Sequence, residues 1–468
     1  MTMIRNEDTI AAIATPVGEG GISVIRISGK GALHTADSLF RGKKRIKDML
    51  SHTAVFGNIV DSGSDRTVLD EVVVVVFRSP NSYTGEDVVE ISCHGGMLVT
   101  KSILNALIES GARHANPGEF TQRAFINGRL DLSQAEAVAD IIHARTERAH
   151  RSSLDQLKGR LSQEIEEIRQ SILNFCSLIE LELDFAEEDI ELANRDDFIK
   201  RADGVIKRLQ DLIDSFKVGK VYREGIKVVL AGKPNAGKSS LLNTLLQENR
   251  AIVTDIPGTT RDVIEESLNI DGLLFRVIDT AGLRVTDDPV ESEGVQRTIQ
   301  QIEQADLALM IVDYSQSMTD EEIKYIDSIL DKMEELDVAP LVVLNKIDVA
   351  GTDSFFDTGK LMHYPFVKLS AKTGEGVDVL KKQMVHLATG GKAYQEGSVL
   401  VTNSRHRDAL IRARHGLGLA ITSLKDGQSG EFVSVDLRAA LDALGEITGV
   451  VTTDDILNNI FSNFCIGK

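Results

Sequence analysis

Apolar positions change their spacing along the 468 residues, and each change marks a different kind of structure. Up to about residue 120, short β-rich runs (Thr9–Thr15, Ile22–Ile27, Val72–Phe77, Val88–Ser92) accompany one helix-like run near Leu98–Ile108. That mixture predicts a compact α+β domain. From about Ser133 to Phe216 the spacing becomes three and four, as in Leu154, Leu157, Leu161, Ile165, Ile168 and Ile172, which predicts helices. Residues 222–385 return to short apolar strands alternating with helical stretches. Within them Asp271-Gly272, between Glu265–Ile270 and Leu273–Asp279, predicts a tight hairpin. Val401–Lys468 is helical again, with Ala409, Leu410, Ala413, Leu417, Ala420 and Leu424 on one face. The expected fold is therefore multidomain: an α+β N-terminal domain (1–120), an all-α domain in two parts (121–221 and 386–468), and a doubly wound, mostly parallel α/β domain (222–385) inserted into it. Doubly wound domains often have neighbouring termini and tolerate such insertion.

The inserted domain carries the most specific chemistry. Gly232-Lys233-Pro234-Asn235-Ala236-Gly237-Lys238-Ser239 fills every position of the phosphate-binding G-x-x-x-x-G-K-[ST] loop. It stands between the strand-like Ile226–Ala231 and a helical run beginning at Ser240. In such a loop the glycines let backbone N–H groups converge on phosphates. Lys238 reaches the β- and γ-phosphates, and Ser239 holds Mg²⁺. Phe275–Ile278 leads into Asp279-Thr280-Ala281-Gly282, the D-x-x-G arrangement, which places a carboxylate near the Mg²⁺ water shell and a glycine N–H near the γ-phosphate. Leu341–Leu344 ends in Asn345-Lys346-Ile347-Asp348, where a carboxylate can accept two hydrogen bonds from guanine. Adenine lacks that donor pair and would leave Asp348 unpaired. Phe366–Leu369 leads into Ser370-Ala371-Lys372, whose backbone supports the base oxygen. These loops in this order predict a Ras-like, guanine-specific GTPase unit.

Two switch segments are expected. Thr254–Asp262 offers the Thr260 hydroxyl to Mg²⁺, and Arg284–Glu291 carries several carboxylates. Leu283 occupies the position where Ras-like GTPases place the Gln that orients water, so another group must do that work. Composition narrows the rest. A net charge of −19 argues against broad nonspecific nucleic-acid affinity, so an RNA partner must be recognised locally. Three scattered cysteines (Cys93, Cys176, Cys465) predict neither a disulfide framework nor a zinc site. No signal-peptide pattern or 18-residue apolar run is present, and a cytoplasmic protein is expected.

Motifs outside the GTPase loops point further. Asp8–Ala12, Pro16–Gly21, Tyr83–Asp87, His94-Gly95-Gly96, Pro117–Phe125 and the terminal Phe464-Cys465-Ile466-Gly467-Lys468 give a chain that closely resembles, over nearly its whole length, the MnmE (TrmE) family of bacterial tRNA-modifying GTPases. The resemblance implies a folate-binding N-terminal domain that also forms a homodimer. It implies a FAD-binding partner, MnmG (GidA), and addition of an aminomethyl-type group (carboxymethylaminomethyl or aminomethyl) at C5 of the tRNA wobble uridine, using a tetrahydrofolate one-carbon unit of the 5-formyl or 5,10-methylene type. It also implies a K⁺-stimulated GTPase, with Asn235 and the carbonyls of Thr254, Ile256 and Thr259 around K⁺ and with Glu291 orienting the attacking water. A soft ring of neutral oxygens suits a large monovalent cation. By motif, Arg26, Glu90, Arg129 and Lys468 would bind the folate, although Arg26 and Glu90 also suit a structural ion pair. Cys465 is a candidate nucleophile toward uridine C6, with redox and packing roles also open. The alternatives are a ribosome-assembly GTPase and a purely regulatory GTPase. The first would share the GTP loops but usually carry a basic RNA-binding extension, where this chain has an α+β N-terminal domain and an acidic balance. Reduced-folate binding separates both from the favoured reading.

Overall fold

The structure is a computed structural model, and it describes residues 8–16, 18–184, 195–249, 266–278, 299–349, 360–391, 398–462 and 464–468. The chain forms two compact units. The first comprises Met1–Ala139, Gln156–Arg169 and Leu441–Lys468, and the second comprises Asp140–Asp155 and Gln170–Ala440.

The first unit is built on a seven-stranded sheet of order β3-β4-β5-β6-β2-β1-β7. Its strands are β1 (Ile10–Ile13), β2 (Gly20–Ser28), β3 (Phe40–Gly42), β4 (Thr53–Val60), β5 (Val68–Phe77), β6 (Val88–Gly95) and β7 (Arg113–His114). Alternation decides which face each side chain meets. Val72, Val74 and Val76 of β5 and Ile25 and Ile27 of β2 pack beneath helices α1 (Ala32–Leu39) and α2 (Met97–Glu109), in a core with Leu33, Leu39, Ile103 and Leu107. The intervening positions look the other way. There the β2–β6 register sets Arg26 opposite Glu90, and Val75 of β5 pairs with Glu90 from the other side. Helix α3 (Glu119–Ile126) begins after Gly118, whose φ of +68° and crowding against the Phe461 carbonyl leave no room for a Cβ. Leu132 and Ala135 of α4 (Leu132–His143) pack with Phe461 and Phe464, which brings the C-terminal segment into this unit.

The second unit contains a six-stranded sheet of order β13-β12-β11-β8-β10-β9. Its strands are β8 (Ile226–Ala231), β9 (Glu266–Ile270), β10 (Leu273–Val277), β11 (Leu307–Asp313), β12 (Ala339–Asn345) and β13 (Phe366–Lys368). All neighbours are parallel except β9 and β10, which form a hairpin. Asp271 (φ 49°) and Gly272 (φ 77°) make its two-residue turn, and the Gly272 N–H donates to the Asn269 side chain at 3.1 Å. The central strands are apolar on both sides: Val228, Leu309 and Leu341 face one core, while Val229, Met310 and Val342 face the other. Helices α7 (Arg195–Glu224) and Ser404–Lys425 belong to the same unit; all six apolar residues expected on one face of the latter are buried.

The helical run expected across Leu154–Ile172 is two helices, α5 (Glu147–Leu157) and α6 (Arg160–Asp184). Gly159, at φ +80°, interrupts them.

Candidate functional site

The loop between β8 and α8 (Lys238–Asn249) lies at the carboxyl end of the sheet, where β8 is flanked by β10 and β11. Strand order reverses there, and open parallel sheets bind their ligands at such a point. Gly232 (φ +142°) and Gly237 (φ +99°) adopt backbone conformations closed to L side chains. Asn235 sits at φ 62°, a conformation its short polar side chain tolerates. The Lys238 ammonium donates to the carbonyls of Gly232 at 2.6 Å and Lys233 at 2.7 Å, so the loop wraps its own cation. Burial pushes that ammonium below its ordinary pKa, a penalty that an anion beside it would offset. Asn235, Ser239 and Ser240 are exposed, and the two serines lie in the first turn of α8, at the positive end of the helix dipole.

The two base-side loops are tied to this one. Asn345 is buried; its Nδ2 donates to the Ala236 carbonyl at 2.8 Å and its Oδ1 accepts the Ala371 N–H at 2.9 Å. Ser370 Oγ donates to Asp348 Oδ1 at 2.7 Å, fixing an exposed carboxylate, and accepts the Thr373 N–H at 3.2 Å. Thr244 of α8 donates to the Ala371 carbonyl at 2.7 Å. Lys346, at φ 68°, extends to Asp313 at 2.5 Å. Burial raises the Asp313 carboxyl, but the Lys346 and Ser315 hydrogen bonds outweigh it and hold it below the usual range. The structure therefore brings Asn235, Ala236, Gly237, Lys238, Ser239, Ser240, Asn345, Lys346, Asp348, Ser370 and Ala371 to one end of one sheet, with Lys372 exposed beside them. Thr254, Ile256, Thr259, Thr260, Asp279, Thr280, Ala281, Gly282 and Glu291 lie outside the described residues, so Asn235 is the one expected K⁺ ligand and Ser239 the one expected Mg²⁺ ligand whose surroundings are described.

A second polar cluster occupies the first unit. Arg26 and Glu90 form an ion pair, Nε to Oε1 at 2.9 Å and NH2 to Oε1 at 2.8 Å. The guanidinium also donates to the Gly467 carbonyl at 3.3 Å and lies over the rings of Tyr83 (5.2 Å) and Phe120 (5.7 Å). Lys468 sits near this pair; burial, then the Arg26 charge, pushes its ammonium below the ordinary value. Arg129 lines a cavity of about 450 Å³ with His52, Phe77 and Tyr83. Cys465 is exposed, whereas Cys93 and Cys176 are buried and burial pushes both thiols up. The cluster thus offers carboxylate acceptors at Glu90, cations at Arg129 and Lys468, and the aromatic rings of Tyr83 and Phe120.

Beside it is a network for which reading the sequence alone gave no role. Arg123 is fully buried and bonds Asp8 at 2.6 Å, Glu119 at 3.0 Å and Glu86 at 3.2 Å, while Arg113 bonds Glu119 at 2.7 Å and Asp8 at 2.8 Å. The one local signal is the i,i+4 spacing of Glu119 and Arg123, which together with Gln122 would equally suit an exposed polar face of α3.

Comparison with known proteins matches both regions of the chain. A family model for the MnmE helical domain matches residues 132–465, and one for the GTP-binding protein TrmE N-terminus matches residues 9–129. The tRNA modification GTPase MnmE of Clostridioides difficile (strain 630) is 44% identical over 468 residues, with 99% of each chain covered. The chain belongs to the MnmE family. The Geobacter metallireducens MnmE is 45% identical over 463 residues, again covering 99% of both chains. Among solved structures, the G domain of the T. maritima FeoB iron transporter is 27% identical, covering 35% of this chain and 98% of that one, with a TM-score of 0.26 that adds nothing to the assignment. MnmE membership thus accounts for a phosphate-loop domain and a TrmE-type N-terminal domain in one chain. Among the described residues no helix is long and apolar enough to cross a membrane.

Proposed function

We propose that this MnmE-family chain hydrolyses GTP and couples hydrolysis to modification of the wobble uridine of tRNA in the cytoplasm. The observation that carries the reading is likeness to MnmE proteins over 99% of the chain, taken with an intact phosphate loop and guanine-type base loops. In this reading the domains are 1–120 for folate binding and dimerisation, 121–221 and 386–468 for the helical domain, and 222–385 for GTP. Lys238 exchanges its loop carbonyls for the β- and γ-phosphate oxygens, and the α8 N-terminus adds N–H donors. Asp348, steadied by Ser370, takes the paired N–H groups of guanine. Glu291 orients the attacking water. Mg²⁺ at Ser239 and Thr260, and K⁺ at Asn235 and the Thr254, Ile256 and Thr259 carbonyls, supply positive charge against the negative charge gathering on the phosphates.

In the first unit, Arg26, Glu90, Arg129 and Lys468 hold a tetrahydrofolate derivative that supplies the one-carbon unit. A FAD-binding partner of the MnmG type completes the chemistry, and exposed Cys465 is the candidate nucleophile toward uridine C6. Pairing of two copies through the N-terminal domain is supported by Ile22 (70% exposed), Phe56 (60%) and Val73 (41%), which leave apolar surface on that sheet.

Two measurements test the proposal. GTP turnover should rise strongly in K⁺ but not in Na⁺; equal rates at saturating GTP refute the K⁺ site. Mass spectrometry of tRNA from cells lacking the protein should show wobble uridine unmodified at C5, and a fully modified wobble position refutes the pathway.

A further inference from the structure

Five of the seven residues 41–47 are cations: Arg41, Lys43, Lys44, Arg45 and Lys47. No seven-residue window elsewhere in the chain holds more than three, and the chain as a whole carries a net charge of −19. The segment joins β3 to β4 in the first unit, and its backbone is held in place. Ile46 is fully buried in the core with Leu33 and Leu39 of α1. The buried Asp37 carboxylate accepts the Ile46 N–H at 2.8 Å and the Arg45 guanidinium at 2.6 Å. Just past β5, Arg78 Nε donates to the Met49 carbonyl at 2.9 Å and its NH2 to the Lys47 carbonyl at 2.6 Å. Carbonyls bind Arg78 without neutralising it, and the same holds for Arg41, which donates to the Phe40 carbonyl at 2.9 Å. Lys43, Lys44 and Lys47 are exposed, and among the described residues no carboxylate engages them. Elsewhere in the unit guanidiniums meet carboxylates: Arg26 meets Glu90, and Arg113 and Arg123 meet Glu119. Here Asp37 offsets Arg45, and Asp48 is the one carboxylate within residues 41–50.

A fixed backbone that presents several free ammonium heads suits an extended polyanion, because each head is a point charge that can follow a separate phosphate. A second copy of the chain is a poor partner, since a two-fold contact through this patch would set like charges against each other. We propose that residues 41–47, with Arg78, form a phosphate-contacting surface for the tRNA backbone, which holds the RNA against the first unit without reading its sequence. The inference deepens the tRNA reading above and rests on it. It also fits that reading to an acidic chain: attraction is concentrated at one segment, while the remaining surface repels RNA elsewhere. Each phosphate contact contributes about 0.7–0.9 to the slope of log affinity against log salt, so three lysines account for roughly 2 or more.

The test is fluorescence anisotropy of a labelled, unmodified tRNA transcript titrated with the full chain across a salt series. The triple variant Lys43→Gln, Lys44→Gln, Lys47→Gln should bind about ten-fold or more weakly at ~0.1 M salt, with a slope shallower by about 2. The triple variant Lys43→Arg, Lys44→Arg, Lys47→Arg keeps the charge and should bind as the parent does. Melting temperature and GTP turnover in K⁺ should match the parent in both, because the three lysines are exposed and lie outside the nucleotide domain. Parent-like affinity and slope in the glutamine variant overturn the proposal. An equal loss in the arginine variant also overturns it, by placing the effect on shape rather than charge. Leu50, beside the segment, is 76% exposed, so vesicles of phosphatidylserine and phosphatidylcholine form a second arm. Binding of the parent to vesicles but not to tRNA, lost in the glutamine variant, assigns the surface to lipid and overturns the inference. Wobble-uridine mass spectrometry separates the two levels. If cells lacking the protein leave the wobble position unmodified while the glutamine variant binds tRNA as the parent does, the inference fails and the tRNA reading stands. If that position is fully modified without the protein, both fail.

Discussion

Arg123→Met is the most informative single change in the first unit, because it swaps a fully buried cation for an apolar chain of similar length. The guanidinium is bonded to Asp8, Glu119 and Glu86 at 2.6, 3.0 and 3.2 Å. Breaking a buried charge cluster from one side costs about 3–5 kcal/mol. Here the lower end applies. Arg113 still bonds Glu119 at 2.7 Å and Asp8 at 2.8 Å, and Ser28 still bonds Glu86 at 2.7 Å, so no carboxylate is left wholly unpaired. The expected loss of about 3 kcal/mol is roughly a hundred-fold in an opening equilibrium. The chain has no tryptophan, so the assay is amide hydrogen exchange read by mass spectrometry on peptides from β1, β2 and α3. The pH dependence supplies a second check. Burial alone would raise Glu119, but hydrogen bonds from Arg113, the Asn116 N–H and Arg123 outweigh it and hold the carboxyl below its ordinary 4.5. A carboxyl lowered in the folded state contributes stability that is complete above its unfolded pKa and is lost as pH falls through the folded one. The gap between Arg123→Met and parent should therefore be full at pH 7 and narrow below about pH 4.5. Unchanged protection in these peptides at pH 7, or a gap that widens on acidification, would refute the reasoning.

Asn345→Ala leaves the Ala236 carbonyl and the Ala371 N–H unpaired in a buried site, at about 1–3 kcal/mol each, so GTP affinity measured by a fluorescent analogue should fall at least ten-fold. Gly237→Ala puts a Cβ against Asn345 Nδ2 at a φ of +99°, and should abolish measurable nucleotide binding by the same assay while the first unit keeps its hydrogen-exchange protection. Under the proposed mechanism, Glu291→Ala lowers kcat by about 10²-fold or more with GTP affinity nearly unchanged; wild-type turnover in K⁺ would move the role to another switch carboxylate.

Much of the nucleotide domain was legible in the sequence because short-range chemistry fixes it. Strands expected at Ile226–Ala231 and Leu341–Leu344 are present because runs apolar on both sides have no solvent face. The hairpin follows from Asp271-Gly272, which few other turns accommodate. In the first unit the runs ending at Phe77 and Ser92 were legible, but β4 was not. It includes Gly57 and Asn58 and exposes Ala54 and Phe56, so its alternation is blurred. The split between α5 and α6 was hidden because apolar spacing continues across Lys158-Gly159. Two partners of Arg123 were out of reach for another reason: Asp8 and Glu86 are far from it in the chain, and only the folded unit brings them to it, whereas Glu119 is one helical turn away.

The Asn345 side chain has a consequence for how this domain can change. Because its amide joins the Ala236 carbonyl to the Ala371 N–H, and because a Cβ on Gly237 would strike it, positions 237 and 345 restrict each other's mutational freedom. The steric part of Gly237→Ala should disappear once Asn345 is already alanine, while the backbone part, set by a φ of +99°, should remain. The double variant would then lose less than the sum of the two singles, yet never recover the parent. Substitutions that are each forbidden alone remain poor together, so no single-step path leads from this pair to another.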